Sequence, residues 1–170
     1  MSRVRRAVAA AALVMLAACG GAQVGPGAGV TEVSGPMPEL SGTTLRGEEV
    51  TPADYEGRVV VVNFWATWCG PCRREQPALS RVEADQGSEG AVFIGVNFRD
   101  DAAAARAYLA EFRVLYPSLE DASGSLAHRF GVPYLPATIV ADAQGELRFR
   151  AVGAIDQDTL RDLILDASSA

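Results

Sequence analysis

Apolar residues fall along this chain in short dense runs that alternate between two rhythms. Val59-Val60-Val61-Val62-Asn63-Phe64-Trp65 and Ala91-Val92-Phe93-Ile94-Gly95-Val96-Asn97-Phe98 are nearly continuous and β-branched, the pattern of strands buried on both faces in a parallel sheet. Between them Leu79 and Val82 recur at helical spacing after Arg73-Arg74-Glu75-Gln76. Strand, helix and strand then make a right-handed βαβ unit. Further on, Asp100 to Arg113 is Ala-rich with Tyr108, Leu109 and Phe112 on one side, which predicts an amphipathic helix. Tyr116 to Leu119 reads as a short strand and Ser123 to Phe130 as a short helix closed by Gly131. An apolar strand after Pro136, a turn at Ala141 to Gly145, an antiparallel strand from Glu146 to Val152 and a helix from Asp156 to Ala167 complete the domain. Before the central strand, Pro38 to Thr51 alternates loosely between Gly turns and suggests a hairpin. Thr51-Pro52-Ala53-Asp54-Tyr55 adds a capped turn, and Gly57 breaks it.

The first strand runs directly into Ala66-Thr67-Trp68-Cys69-Gly70-Pro71-Cys72. Cys69 thus lies near the first turn of the following helix, where unpaired N–H groups and the positive end of the helix dipole stabilise a thiolate. Cys69, expected to be exposed, is the nucleophile, and Cys72, one turn further in, resolves the mixed disulfide. Gly70-Pro71 keeps the sulfurs close, and Trp65 and Trp68 read as packing around the site, with Trp68 a candidate for the docking surface. A closed zinc site needs four ligands, and the chain has three cysteines and one histidine, His128, far away in a helix. No metal and no other cofactor is expected.

The N-terminus changes the picture of where this chemistry operates. Arg3, Arg5 and Arg6 precede an apolar run from Ala7 to Ala18 that is too short to span a bilayer, which reads as a secretion signal. Leu16-Ala17-Ala18-Cys19 resembles the lipobox of bacterial lipoproteins, and that resemblance implies cleavage before Cys19 and lipidation of it. An ordinary signal peptide with a chance cysteine is the alternative. Gly20 to Pro36 is Gly-rich and aperiodic, the composition of a flexible tether with a reach of roughly 23 Å. Residues 1–18 are therefore read as signal peptide, 19–37 as lipidated cysteine and tether, and 38–170 as the folded domain. Setting the three leading arginines aside leaves 12 basic against 21 acidic residues, a net charge of −9, which argues against nucleic acid as a partner. All basic residues are arginine, so lysine-based catalysis is excluded.

Phe64-Trp65-Ala66-x-Trp68-Cys69-Gly70-Pro71-Cys72 with Pro77 resembles thioredoxin, and Val62-Asn63-Phe64-Trp65 with Glu75 is more similar to the TlpA/ResA-like extracytoplasmic thiol-disulfide oxidoreductases. The resemblance covers roughly residues 38 to 167. It implies an α/β thioredoxin-like fold: a central mixed β-sheet flanked by helices, with an N-terminal hairpin and a central helix-strand insertion. It also implies a cis bond at Pro136 facing the cysteines, leaving the Leu135 backbone free to pair with an extended substrate. Where thioredoxin has a buried Asp, this chain has Asn63. The matching carboxylate of the ResA-like branch falls on Asp100, which the sequence supports equally well as a helix N-cap.

Three classes compete. The leading one is a membrane-tethered thiol-disulfide oxidoreductase acting on exported thiol or disulfide proteins such as cytochrome c apoproteins, supplied by a membrane electron donor or acceptor. An oxidase or isomerase would share the fold. A thiol peroxidase lacks support, because the expected Pro-x-x-x-Thr-x-x-Cys pattern is missing around Thr67 and Cys69. A non-enzymatic lipoprotein module would not need the intact Cys69–Cys72 pair with Pro136.

Overall fold

The structure is a computed structural model, and it describes residues 28–170. The candidate signal peptide, Cys19 and most of the expected tether lie outside the described residues.

Thirteen elements follow one another: β1 (Gly29–Glu32), β2 (Gly42–Thr43), β3 (Glu49–Val50), a 3-10 turn (Pro52–Asp54), β4 (Val60–Trp65), α1 (Gly70–Gln86), β5 (Val92–Phe98), α2 (Ala102–Glu111), β6 (Ser118–Asp121), α3 (Ser125–Arg129), β7 (Ala137–Ala141), β8 (Leu147–Val152) and α4 (Gln157–Ser168). Six strands form one sheet in the order β1-β8-β7-β4-β5-β6. β4, β5 and β6 are parallel, whereas β4–β7, β7–β8 and β8–β1 are antiparallel. The hairpin β2–β3 stands apart as a second, two-stranded sheet. This is the expected mixed α/β architecture.

β4 is buried along its whole length, and its two faces feed two cores. Val59, Val61 and Trp65 pack with residues of α1, α2 and α4; Val60, Val62 and Phe64 pack with Leu40, Val50, Tyr55 and residues of α3. The alternation is the two-residue period of a strand with helices or loops on both sides.

The clearest departure lies at the N-terminus. Residues 29–32, placed by composition in the tether, form β1 and pair with β8 from Gly29↔Val152 to Glu32↔Phe149. All four side chains are exposed, so the strand is held by its ladder rather than by burial, and hydrophobic pattern carries no trace of it. β6 begins two residues later than expected: Pro117 has no N–H for a ladder, and Tyr116 is drawn into the core, where its hydroxyl accepts from Gln76 Nε2 at 2.9 Å. Among the described residues, no helix is long and apolar enough to cross a membrane.

Candidate active site

Cys69 is the N-cap of α1, and its Sγ accepts the Cys72 N–H at 3.2 Å. The helix thus begins with a backbone donor already aimed at the sulfur, the interaction that favours a thiolate over a thiol. The two cysteines are joined as a disulfide. Cys69 is 5% exposed and Cys72 1%. The expected order of accessibility holds, but Cys69 is a buried residue and not the exposed one the sequence suggested: it joins the core that holds Trp65 and Cys72, in a turn closed by its N–H donating to the Ala66 carbonyl at 3.2 Å. Trp68 projects outward, 61% exposed, while Trp65 is buried and stacks on Tyr108 at 4.4 Å. The Tyr108 hydroxyl in turn donates to the Cys72 carbonyl at 3.2 Å.

Leu135-Pro136 is cis. Phe64 pairs with Ala137 at the start of β7, so Pro136 falls opposite the end of β4 from which the cysteine turn departs. Leu135 packs against the core that contains both cysteines. The Pro136 carbonyl is held by the Gly153 N–H at 2.9 Å.

Asp100 does not take the N-cap place that the sequence offered it. The N-cap of α2 is Asp101, whose side chain accepts from the Ala104 N–H at 2.8 Å. Asp100 instead grips the turn ahead of Cys69: its carboxylate accepts the Thr67 N–H at 2.6 Å and the Thr67 hydroxyl at 2.7 Å, together with Asn97 Nδ2 and the Asp101 N–H, both at 3.0 Å. Burial pushes its carboxyl up, but the four donors outweigh it and hold the group below the ordinary carboxylate range. A carboxylate so satisfied is a poor proton acceptor and a good clamp.

The buried carboxyl of the site is Glu75, 3% exposed and one helical turn after Cys72 on α1. Its Oε1 accepts from Asn63 Nδ2 at 2.8 Å and its Oε2 from the Ile155 N–H at 3.0 Å. Burial dominates these two bonds and pushes it up to about 7. Asn63 also donates to the Thr138 hydroxyl at 3.2 Å, while its Oδ1 is buried without a partner. Turning the Asn63 amide over would present that oxygen to a protonated Glu75, so the pair can accommodate either state of the carboxyl. Sequence reasoning used Glu75 only as a mark of resemblance. The available sign was its position on the stripe Cys72, Gln76, Leu79, Val82, all buried in α1, where a charged residue is out of place.

Among the described residues no group of three or more His, Cys, Asp or Glu is placed to hold a metal ion. The arrangement is a two-sulfur redox centre with a helix N-terminus at one sulfur and a buried acid one helical turn after the other cysteine.

Known proteins resemble this chain in sequence and in fold. A family model described as Redoxin matches residues 32–164. The thiol:disulfide interchange protein DsbE of Pseudomonas fluorescens biotype C is 40% identical over 129 residues, covering 75% of this chain and 70% of that protein. The thiol-disulfide oxidoreductase ResA of Geobacillus kaustophilus is 27% identical over 128 residues, covering 75% and 74%. Of solved structures, a secreted Mycobacterium tuberculosis disulfide oxidoreductase superposes with a TM-score of 0.68 at 30% identity, over 75% of this chain and 95% of that one. A DsbF homologue from Corynebacterium diphtheriae does so with a TM-score of 0.74 at 28% identity, over 81% and 92%.

Proposed function

Because the chain belongs to the Redoxin family and is a TlpA/ResA-like thiol-disulfide oxidoreductase, we propose that it is a lipid-anchored extracytoplasmic reductase of exported proteins, cytochrome c apoproteins among them. The observation that carries the reading is the Cys69–Cys72 pair at the N-cap of α1 with Glu75 buried one turn behind it. The anchoring part rests on the Arg3 to Cys19 pattern.

In the reduced protein, the Cys69 thiolate attacks one sulfur of a substrate disulfide, forming a mixed disulfide and releasing the other substrate sulfur as a thiolate that takes up a proton. Cys72 then loses its proton and attacks the Cys69 sulfur; the Cys69–Cys72 disulfide forms and the second substrate sulfur leaves. Two electrons pass to the substrate, and its two sulfurs end as thiols by taking up one proton equivalent to that lost by Cys72 and one from water. Cys72 is enclosed, so its proton needs an internal acceptor, and Glu75, with its carboxyl near 7, is matched to that task at neutral pH. Asp100 holds Thr67, and through it the turn that carries Cys69. The substrate lies between Trp68-Cys69-Gly70-Pro71 on one side and Leu135-Pro136 on the other, its extended backbone beside that of Leu135.

Insulin reduction with the wild type and Cys69→Ser, alongside peroxide consumption, tests the class of reaction: Cys69-dependent insulin reduction without peroxide turnover is expected, and the reverse pattern would indicate a peroxidase. Direction is tested by the potential of the pair, expected nearer the ~−270 mV of thioredoxin than the ~−120 mV of DsbA. Detergent phase separation after expression in a bacterial host tests the anchor; wild type as soluble as Cys19→Ala would refute it.

A further inference from the structure

The path of the chain into the fold has a direction. β4 runs toward Trp65, and the cysteine turn follows that end. β7 starts beside it, with Ala137 opposite Phe64. Ala137 also pairs with Val152, and Val152 with Gly29. The first residue of β1 therefore lies at the same end of the sheet as Cys69 and Cys72, three strand spacings or about 14 Å to the side of β4. Residues 20–28 are all that separate it from Cys19. Those nine residues span at most about 32 Å even when fully extended, whereas a spherical domain of this length is roughly 37 Å across.

On the reading that Cys19 carries the lipid, we infer that the anchored molecule turns the Cys69–Cys72 end of its sheet to the bilayer surface, within one tether length of the lipid. With a root-mean-square reach of about 16 Å, nine residues that enter at the active-site end favour that end at the surface over the far end, with the α1–β5 loop. The side chains at the near end suit the location. Trp68 and Tyr134 are 61% and 75% exposed, and both belong to segments at this end, one just before Cys69 and the other just before Leu135-Pro136. Trp and Tyr are the residues that tolerate a membrane–water boundary best, with an apolar body and a polar tip. Had β1 been part of the tether, as composition suggested, 17 residues would have left the domain freer to turn; the ladder to β8 shortens the tether to nine.

The test uses full-length, lipidated protein in vesicles that contain a small fraction of lipid with a maleimide headgroup. In a Cys69→Ser/Cys72→Ser background, with Cys19 blocked by its lipid, one reporter is Tyr134→Cys and the other Ser88→Cys in the α1–β5 loop, both at exposed positions. Each rate of coupling to the lipid is divided by the rate with a soluble maleimide. Tyr134→Cys should couple about tenfold faster than Ser88→Cys, because the tether raises the local concentration of only one end at the surface. Inserting about 20 Gly-Ser residues between Gly27 and Ala28 should bring the ratio toward one. Equal or reversed rates with the native tether, in protein that does partition into the vesicles, overturn the orientation alone. Protein that fails to partition overturns the anchor reading and this inference with it, so the two failures are told apart.

Discussion

Glu75 turns one oxygen to Asn63 and the other to the Ile155 N–H, and burial still pushes its carboxyl from 4.5 up to about 7. A folded-state value above the unfolded one means that the native protein holds this proton more tightly. Its contribution to stability is therefore fully present below about pH 4.5 and is lost as pH rises through about 7. The loss amounts to roughly 3 kcal/mol at most. Glu75→Gln should consequently unfold at higher urea than wild type at pH 8 and lose the slope in stability between pH 5 and 7, its amide paired by a turned Asn63. On the proposed role of Glu75 as acceptor of the Cys72 proton, the same variant should reduce insulin more slowly, with the slowed step being release of the mixed disulfide. A variant as fast as wild type, followed by single-turnover release of a trapped substrate, would deny Glu75 that role. Asp100 gives the opposite signature. Its carboxyl is depressed, so the stability it contributes is present above its unfolded value of 3.8 and lost as pH falls through the folded one. Asp100→Ala should cost about 1–3 kcal/mol in urea denaturation, since it orphans the donors of Thr67 and Asn97. Its insulin reduction should retain the wild-type pH profile.

At the scale of elements, the two acids before α2 divide a task that the sequence could not apportion. Asp101 caps the helix, and Asp100 reaches back across the sheet to the turn that follows β4. Asp101→Ala should lower stability by about 1 kcal/mol, the cost of a lost cap, and leave the Cys69 alkylation rate unchanged. Asp100→Ala should change that rate, because Thr67 N–H and hydroxyl are released two positions before the N-cap of α1. Thiol alkylation against pH in the Cys72→Ser background reads the difference. α1 shows the same division between local and remote causes. Its start was legible from the strand before it and the Gly70-Pro71 pair after Cys69, both short-range signals. That Cys69 would be buried was not, since its burial depends on the core it joins and its turn is held from Asp100, thirty-three positions after Thr67.

For the whole molecule, β1 closes the sheet on the β8 side and sets where the N-terminal segment joins the domain. Relative to a chain beginning at Ala28, one beginning at Val33 should lose about 2 kcal/mol in urea denaturation, with β8 left as an open edge prone to association; equal midpoints would show that the ladder contributes nothing. While the place of Pro136 came from the family resemblance, the sequence by itself determined the βαβ centre, the antiparallel strand that follows it and the Cys69–Cys72 pair at a strand's end. Each of those is written in patterns of a few residues: continuous apolar runs for strands buried on both faces, a helical stripe, and the spacing of two cysteines. Only the tertiary structure decided which carboxyl titrates behind the sulfurs, which one clamps the turn, and that residues 29–32 are strand. Those outcomes depend on partners distant in sequence: Glu75 on Asn63 and Ile155, Asp100 on Thr67, Gly29 on Val152. A hydrogen bond or a buried charge is defined by what the fold brings next to it, and an exposed edge strand has no hydrophobic face to announce it.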